Sequence, residues 1–343
     1  MQMRFFLLFL LLEFSLIADS APYSAPIWLP GGHLQTIYAG AFASAPQVDY
    51  RRERWELPDG DFVDVDWVDA INTLPSTPLV VLFHGLEGNS QSNYAKALMH
   101  ATQAKGWSGV VIHFRGCSGE PNRLPRVYYA GDTPEIQLLL SRVRTKLQEA
   151  PIYAVGVSLG ANALLKWLGE SSLEAKQIAS KAVAVSAPMD LAASATALDT
   201  GLNRILYTPR FVDSMRPKAL SMSARFPGLL DDKKIKAAKT IHDIDNAVTA
   251  VLYGAQNADD YYTKNASKPW LKKIEVPTLI LNAKNDPFLP AETLPTSLEV
   301  SPMVTLEFPE TGGHVGFTSA DNWLSNHILD FFELPNPKIM SAD

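Results

Sequence analysis

Six short, nearly continuous apolar runs punctuate the sequence: PLVVLFHG (78–85), SGVVIHFRG (108–116), IYAVGVS (152–158), KAVAVSAP (181–188), VPTLILNAK (276–284) and MVTLEFPE (303–310). Each is closed by glycine, proline or polar residues, and such uniform apolarity suits strands covered on both faces. Between them, stretches such as SNYAKALMHATQAKG (92–106) and DTPEIQLLLSRVRTKLQE (132–149) repeat apolar residues at spacings of three and four, which predicts helices. The alternation predicts a mostly parallel sheet flanked by helices, an α/β class. Upstream, RERWELPDG and DFVDVDWVD alternate apolar with polar residues around Pro58-Asp59-Gly60 and read as an antiparallel hairpin at the sheet edge.

One interval breaks the rhythm. Residues 189–270 contain helical patterns, including DLAASATALDTGLNRIL and DDKKIKAAKTIHDI, and little that reads as strand. A helical insertion between two core strands is most economically a cap over one end of the sheet. With no internal repeat or linker, residues 23–343 read as one domain with a cap insertion at about 189–270. Residues 1–22 stand apart: Arg4, the apolar run Phe5–Leu12 and Ala18-Asp19-Ser20 resemble a secretory signal, while Glu13 interrupts a run too short for a span of ~20 residues. A membrane-surface anchor and a plain N-terminal extension stay open beside that reading, and with them export or contact with a membrane surface.

Apolar residues make up 47% of the 343 positions and charged residues 19%, the balance of a globular protein with a sizeable core. A net charge of −6 gives no electrostatic footprint for nucleic acid. Cys117, the single cysteine, excludes an intrachain disulfide and a cysteine-rich zinc site. No H-E-x-x-H or other close ligand cluster is present, so neither metal nor cofactor is expected. Oligomeric state is not readable.

The sharpest chemical signal is Gly156-Val157-Ser158-Leu159-Gly160, a G-x-S-x-G between an apolar strand and the helix ANALLKWLGE. Its glycines suit a tight turn that lifts the serine hydroxyl above the carboxyl end of a sheet. A serine that merely caps the helix is the blander alternative. Serine needs a base, and in α/β-hydrolases the partners follow in the order Ser, Asp or Glu, His. Asp286, in the polar turn after PTLILNA, fits the acid; His314, in the glycine-rich loop after VTLEFPE, fits the base. Asp190 is a competing acid. His33 shares the Gly-Gly-His tripeptide of His314 but precedes the whole sheet. Oxyanion donors are expected from the backbone N–H groups of Leu159 and of Leu86, the latter after the strand LVVLFHG. His84 reads as a brace for that loop, His113 as a hydrogen-bonded core residue, and His100, His242 and His327 as surface or packing positions.

HGLEGNS, HFRGCSGEPN, GVSLGAN, NAKNDPF and GGHVGF, in that order, together resemble the YheT-like branch of the α/β-hydrolases, the fourth AB-hydrolase family. WLPGGHLQT and NADDYYTKNAS resemble further motifs of it, so the similarity runs from about residue 23 to 334. The resemblance implies an α/β-hydrolase fold with a helical cap and an esterase-like serine hydrolase using Ser158, Asp286 and His314. It also implies a cytoplasmic setting and a small-molecule acyl ester substrate, with short- to medium-chain esters and acylglycerols as candidates. Acyl transfer from the same acyl-enzyme and a non-catalytic binding protein on this scaffold are the alternatives.

Other residues divide between structural and functional readings. Cys117 reads as structural. Arg115 is expected to pair with a carboxylate in GEPNR or with Asp132, an anion-binding role being the alternative. In the insertion, Leu202, Ile205, Leu206, Met215, Met222 and Phe226 are expected to pack against the sheet or to line an acyl pocket, with the same choice for Tyr261 and Tyr262. His33 is expected to tie the N-terminal segment to the body.

Overall fold

The carboxyl ends of six parallel strands meet at one edge of a single sheet, and the loops there carry Leu86, Ser158, Asp190, Asp286 and His314. The computed structural model describes residues 23–335, so the readings made for residues 1–22 lie outside the described residues. The strands are β1 (Arg51–Glu56), β2 (Phe62–Val68), β3 (Leu79–Phe83), β4 (Ser108–Ile112), β5 (Ile152–Val157), β6 (Lys181–Val185), β7 (Thr278–Leu281) and β8 (Val304–Glu307). They lie in the order β1-β2-β4-β3-β5-β6-β7-β8. β2 runs antiparallel to both neighbours and all other pairs are parallel, as the α/β reading expects. Phe83 pairs with Gly156, Val157 with Val185, Val185 with Leu281, and Leu281 with Glu307. The loops after these strands therefore open side by side.

Successive strand residues face opposite sides. Leu79, Val81 and Phe83 join a core with α3 (Thr133–Lys146) and α4 (Leu159–Ile178), whereas Val80 and Leu82 join one with α2 (Asn93–Ala104) and α12 (Trp323–Glu333). A short helix, α1 (Gly31–Ile37), precedes the sheet.

The edge hairpin departs from a simple solvated edge. Asp64 and Asp66 of β2 are each 2% exposed. Their burial is possible because Arg54 and Arg52 stand directly opposite on β1 and bind them through paired N–H···O bonds of 2.7–2.9 Å. Asp66 also engages His113 at 2.8 Å and accepts the Ser90 hydroxyl at 2.6 Å. Burial raises its pKa, but the bonds from Arg52, His113 and Ser90 outweigh it and hold the carboxyl well below its usual range.

Between β6 and β7 the chain forms α5 (Leu191–Leu198), α6 (Asn203–Leu206), α7 (Thr208–Arg225), α8 (Asp232–Ala237), α9 (Ile241–Ile244), α10 (Ala250–Tyr253) and α11 (Ala258–Asn265). All of these helices except α6 share a core in which Ile235, Ile244 and Ala258 are fully buried. Of the six apolar residues expected to pack or line a pocket, Leu202 and Ile205 stay largely exposed, at 61% and 73%, whereas Leu206, 46% exposed, lines a second cavity beside Ser158 and His314. The turn at Gly201, with φ of +53°, breaks the long helical pattern and leaves α6 as a single outer turn. Phe226 is half-buried past the end of α7, beneath the Arg225 guanidinium.

Candidate active site

Ser158 occupies the one-residue step from β5 to α4, with φ 54° and ψ −121°. Such a conformation costs a non-glycine residue on the order of 1–3 kcal/mol and persists only where its surroundings enforce it. Here they do. A Cβ on Gly156 would lie 2.6 Å from the Ala161 Cα, and one on Gly160 would lie 2.4 Å from the Phe83 carbonyl oxygen. Strand and helix can therefore approach only through glycine. The Ser158 side chain does not cap α4, so the blander reading of the motif fails.

Its hydroxyl instead meets His314 Nε2 at 2.9 Å, and His314 Nδ1 meets Asp286 Oδ2 at 2.8 Å. Asp286 follows β7, and its other oxygen accepts the Phe288 N–H at 2.8 Å, which fixes the carboxylate plane. Its side chain is fully buried, and that of His314 is 10% exposed with its ring packed 4.3 Å from Phe288. With Asp286 accepting at Nδ1, the neutral imidazole keeps Nε2 free to accept the serine proton. The structure thus brings together the serine, acid and imidazole singled out from chain order.

The competitors are accounted for elsewhere. Asp190 accepts the Ala193 N–H as the N-cap of α5. His33 Nδ1 lies 3.1 Å from the Tyr207 hydroxyl and its ring stacks on that tyrosine, tying α1 to the helical insertion. His84 is buried: its Nε2 accepts the Phe114 N–H at 3.0 Å, so Nδ1 donates to the Gly85 carbonyl at 2.8 Å. Burial pushes its pKa down to about 3, so it stays neutral and braces the loop. Gly85 abuts the serine closely enough that a Cβ there would stand 3.1 Å from the Ser158 Cβ. This brings the loop bearing Leu86 beside the hydroxyl, while Leu159 opens α4, where first-turn N–H groups have no intrahelical partner.

Burial pushes the Cys117 thiol up to about 12, which removes it as a nucleophile near neutral pH. Arg115 is indeed ion-paired, but with Asp59, Asp61 and Glu135 at 2.7–3.0 Å. Of the expected partners, Glu120 pairs with Arg54 and Asp132 with Arg126. The hairpin turn at 59–61 folds over the Arg115 loop, a proximity that no local pattern encodes.

A cavity of about 750 Å³ opens from Ser158 and His314 under the helical insertion, which contributes Leu191, Leu198, Phe211, Met215, Met222 and Val248. Tyr261 and Tyr262 reach the same cavity from α11. To the lining the insertion also supplies Asp245, whose oxygens accept the Thr249 hydroxyl at 2.6 Å and the Tyr262 hydroxyl at 2.8 Å. Burial pushes the Asp245 carboxyl up to about 6. Missed in the sequence were Gln35, Thr36, Ser186 and Asn285, which surround the His314 loop. The N-terminal Gly31-Gly32-His33 tripeptide, which ends two residues before Gln35, was the available signal. No group of three or more metal-ligating side chains occurs among the described residues.

A sheet of this order, a serine at a glycine-bounded strand–helix elbow and an Asp–His pair on the following loops define a class. The chain belongs to the alpha/beta hydrolase fold family, whose model matches residues 78–321. Within it, the chain is similar to "Putative esterase YheT" of Escherichia coli (strain K12), at 37% identity covering 93% of this chain and 94% of that protein. It is 30% identical to the phospholipase ABHD3 of Homo sapiens, covering 86% and 73%. It is also 28% identical to the monoacylglycerol lipase of Saccharomyces cerevisiae, covering 94% and 83%. Among solved structures, Est1E from Butyrivibrio proteoclasticus with ferulic acid bound shares the fold, with a TM-score of 0.55 at 15% identity over 83% of this chain and 98% of that one.

Proposed function

We propose that the protein is a serine esterase that cleaves carboxylic esters of small to medium acyl groups, acylglycerols included. The observation that carries this reading is the unbroken hydrogen-bonded line from Ser158 through His314 to Asp286 at the mouth of a largely apolar cavity. The names of the relatives at 28–37% identity support the ester class.

In this mechanism Ser158 Oγ attacks the acyl carbonyl as His314 Nε2 takes its proton. Asp286 keeps the proton on Nδ1 and stabilises the imidazolium. The backbone N–H groups of Leu86 and Leu159 receive the oxyanion, Leu159 with the added field of the α4 N-terminus. Collapse of the intermediate breaks the ester C–O bond, His314 protonates the leaving alkoxide, and water, activated by the same imidazole, releases the acid. The helical insertion acts as a cap, its leucine and methionine side chains accepting the acyl chain.

Turnover of p-nitrophenyl esters from C2 to C16 tests the reading. Ser158→Ala and His314→Ala are each expected to lower kcat at least about 10⁴-fold without loss of fold by circular dichroism. Wild-type turnover in either variant would sink the assignment, and a flat or absent chain-length response would sink the acyl-pocket reading.

A further inference from the structure

The loop that carries His314 lies outside any helix or strand, yet four consecutive backbone N–H groups in it each donate to a side-chain oxygen. Gly312 donates to Gln35 Oε1 at 2.9 Å, Gly313 to Asn285 Oδ1 at 2.9 Å, His314 to Thr36 Oγ1 at 2.8 Å and Val315 to Ser186 Oγ at 3.0 Å. Two of the four oxygens belong to α1, at the far end of the chain. Gln35 Oε1 also accepts from Asn285 Nδ2 at 3.0 Å, so one buried oxygen ties the His314 loop to the residue beside Asp286.

Both α1 side chains are themselves oriented. Gln35 Nε2 donates to the Leu29 carbonyl at 2.8 Å, which turns the amide oxygen toward its two donors, and the Thr36 hydroxyl donates to the Gly32 carbonyl at 2.7 Å, which leaves its lone pairs to His314. The backbones interlock behind them. A Cβ on Gly32 would stand 1.9 Å from the Asn285 carbonyl oxygen, and one on Gly313 would stand 2.7 Å from that of Gly32. Val315, β-branched and at φ +56°, holds a conformation that persists only under external restraint.

We propose that Gln35 and Thr36 are positioning residues for the reaction: α1 clamps the base loop to the acid loop and sets where His314 Nε2 meets the serine. The proposal rests on the esterase reading above. Neither residue exchanges a proton with substrate; their effect passes through His314 and Asn285. Rate is steep in such placement, because an error of about 1 Å costs on the order of 10²-fold.

Thr36→Val keeps the shape and removes the acceptor, while Thr36→Ser keeps the acceptor. Steady-state hydrolysis of p-nitrophenyl butyrate is measured for both, per active site titrated with a fluorophosphonate, together with the fluorophosphonate labelling rate. Thr36→Val is expected to lose kcat about 10- to 100-fold, with KM within about twofold of wild type and labelling slowed in parallel. Thr36→Ser is expected to restore kcat to within about threefold. Thr36→Ala serves as the second variant if Thr36→Val does not fold, with the same loss expected. An active wild type beside a folded Thr36→Val or Thr36→Ala of equal kcat overturns the positioning role alone, as does a loss that Thr36→Ser fails to rescue. A wild type that neither hydrolyses the ester nor labels overturns the esterase reading and this role with it.

Discussion

Ser158 and His314 touch at 2.9 Å but are held by opposite means. The serine is set by its neighbours in sequence: the end of β5, the start of α4, two glycines within two residues, and a backbone N–H that extends the sheet ladder to the Val185 carbonyl. The imidazole is set by remote side chains, whose hydrogen bonds to the loop span 277, 28, 278 and 129 residues. A strand–helix elbow is a local solution that stores its strain in backbone geometry. A loop with no ladder of its own must have its N–H groups satisfied from outside, because an unpaired buried donor costs about 1–3 kcal/mol.

Glycine substitutions break the two arrangements differently. Gly160→Ala drives a Cβ to 2.4 Å from the Phe83 oxygen within the central sheet, and a stability loss of about 3 kcal/mol is expected in chemical denaturation. Gly32→Ala pushes instead on the Asn285 carbonyl, and its larger expected effect is on kcat, about 10²-fold, with less than about 2 kcal/mol lost. Equal stability losses with unchanged turnover in Gly32→Ala would erase the contrast.

A subtler test uses pH. The folded Asp245 carboxyl, raised by burial to about 6 from the ordinary carboxylate value of about 4, binds protons that the unfolded chain has released. Its contribution to stability is thus present below about 4 and is lost as pH rises to about 6. Asp245→Asn lacks this slope, so the stability of the variant relative to wild type should grow between pH 4 and 7 in urea titrations. A constant difference would mean that the group is solvated. The smallest effect is expected at His33→Ala, which removes one partly buried bond to Tyr207: about 1 kcal/mol of stability and less than a twofold change in kcat. Abolished turnover in folded His33→Ala would move the function of α1 from Gln35 and Thr36 to the histidine.

The same contrast explains what could be read from residues alone. The apolar runs locate the six parallel strands because burial on both faces imprints itself on four to six consecutive residues of β3 to β7, and the elbow is legible because both of its glycines lie within two residues of the serine they serve. Chain order then singled out Asp286 and His314, the pair that the structure brings to the Ser158 hydroxyl. The partners of Arg115, the burial of Asp64 and Asp66, and the roles of Gln35 and Thr36 were not legible. Each depends on a contact between segments far apart in sequence, where a glutamine or a threonine looks like any other surface residue. Leu202 and Ile205 show the converse error: helical spacing was present, but the turn at Gly201 broke the pattern and left both side chains largely exposed.

The span of the clamp also sets an order of events during synthesis. Gln35 leaves the ribosome 277 residues before the Gly312 N–H that it accepts. At ~5–20 residues per second that interval is roughly 14–55 s. Throughout it, the oxygens of α1 must be satisfied by water, while the central strands and the serine elbow already have the local sequence they need. Until then α1 cannot hold the loop of His314 against that of Asp286, and the line from Ser158 to Asp286 closes only when the last strand and its loop return to α1.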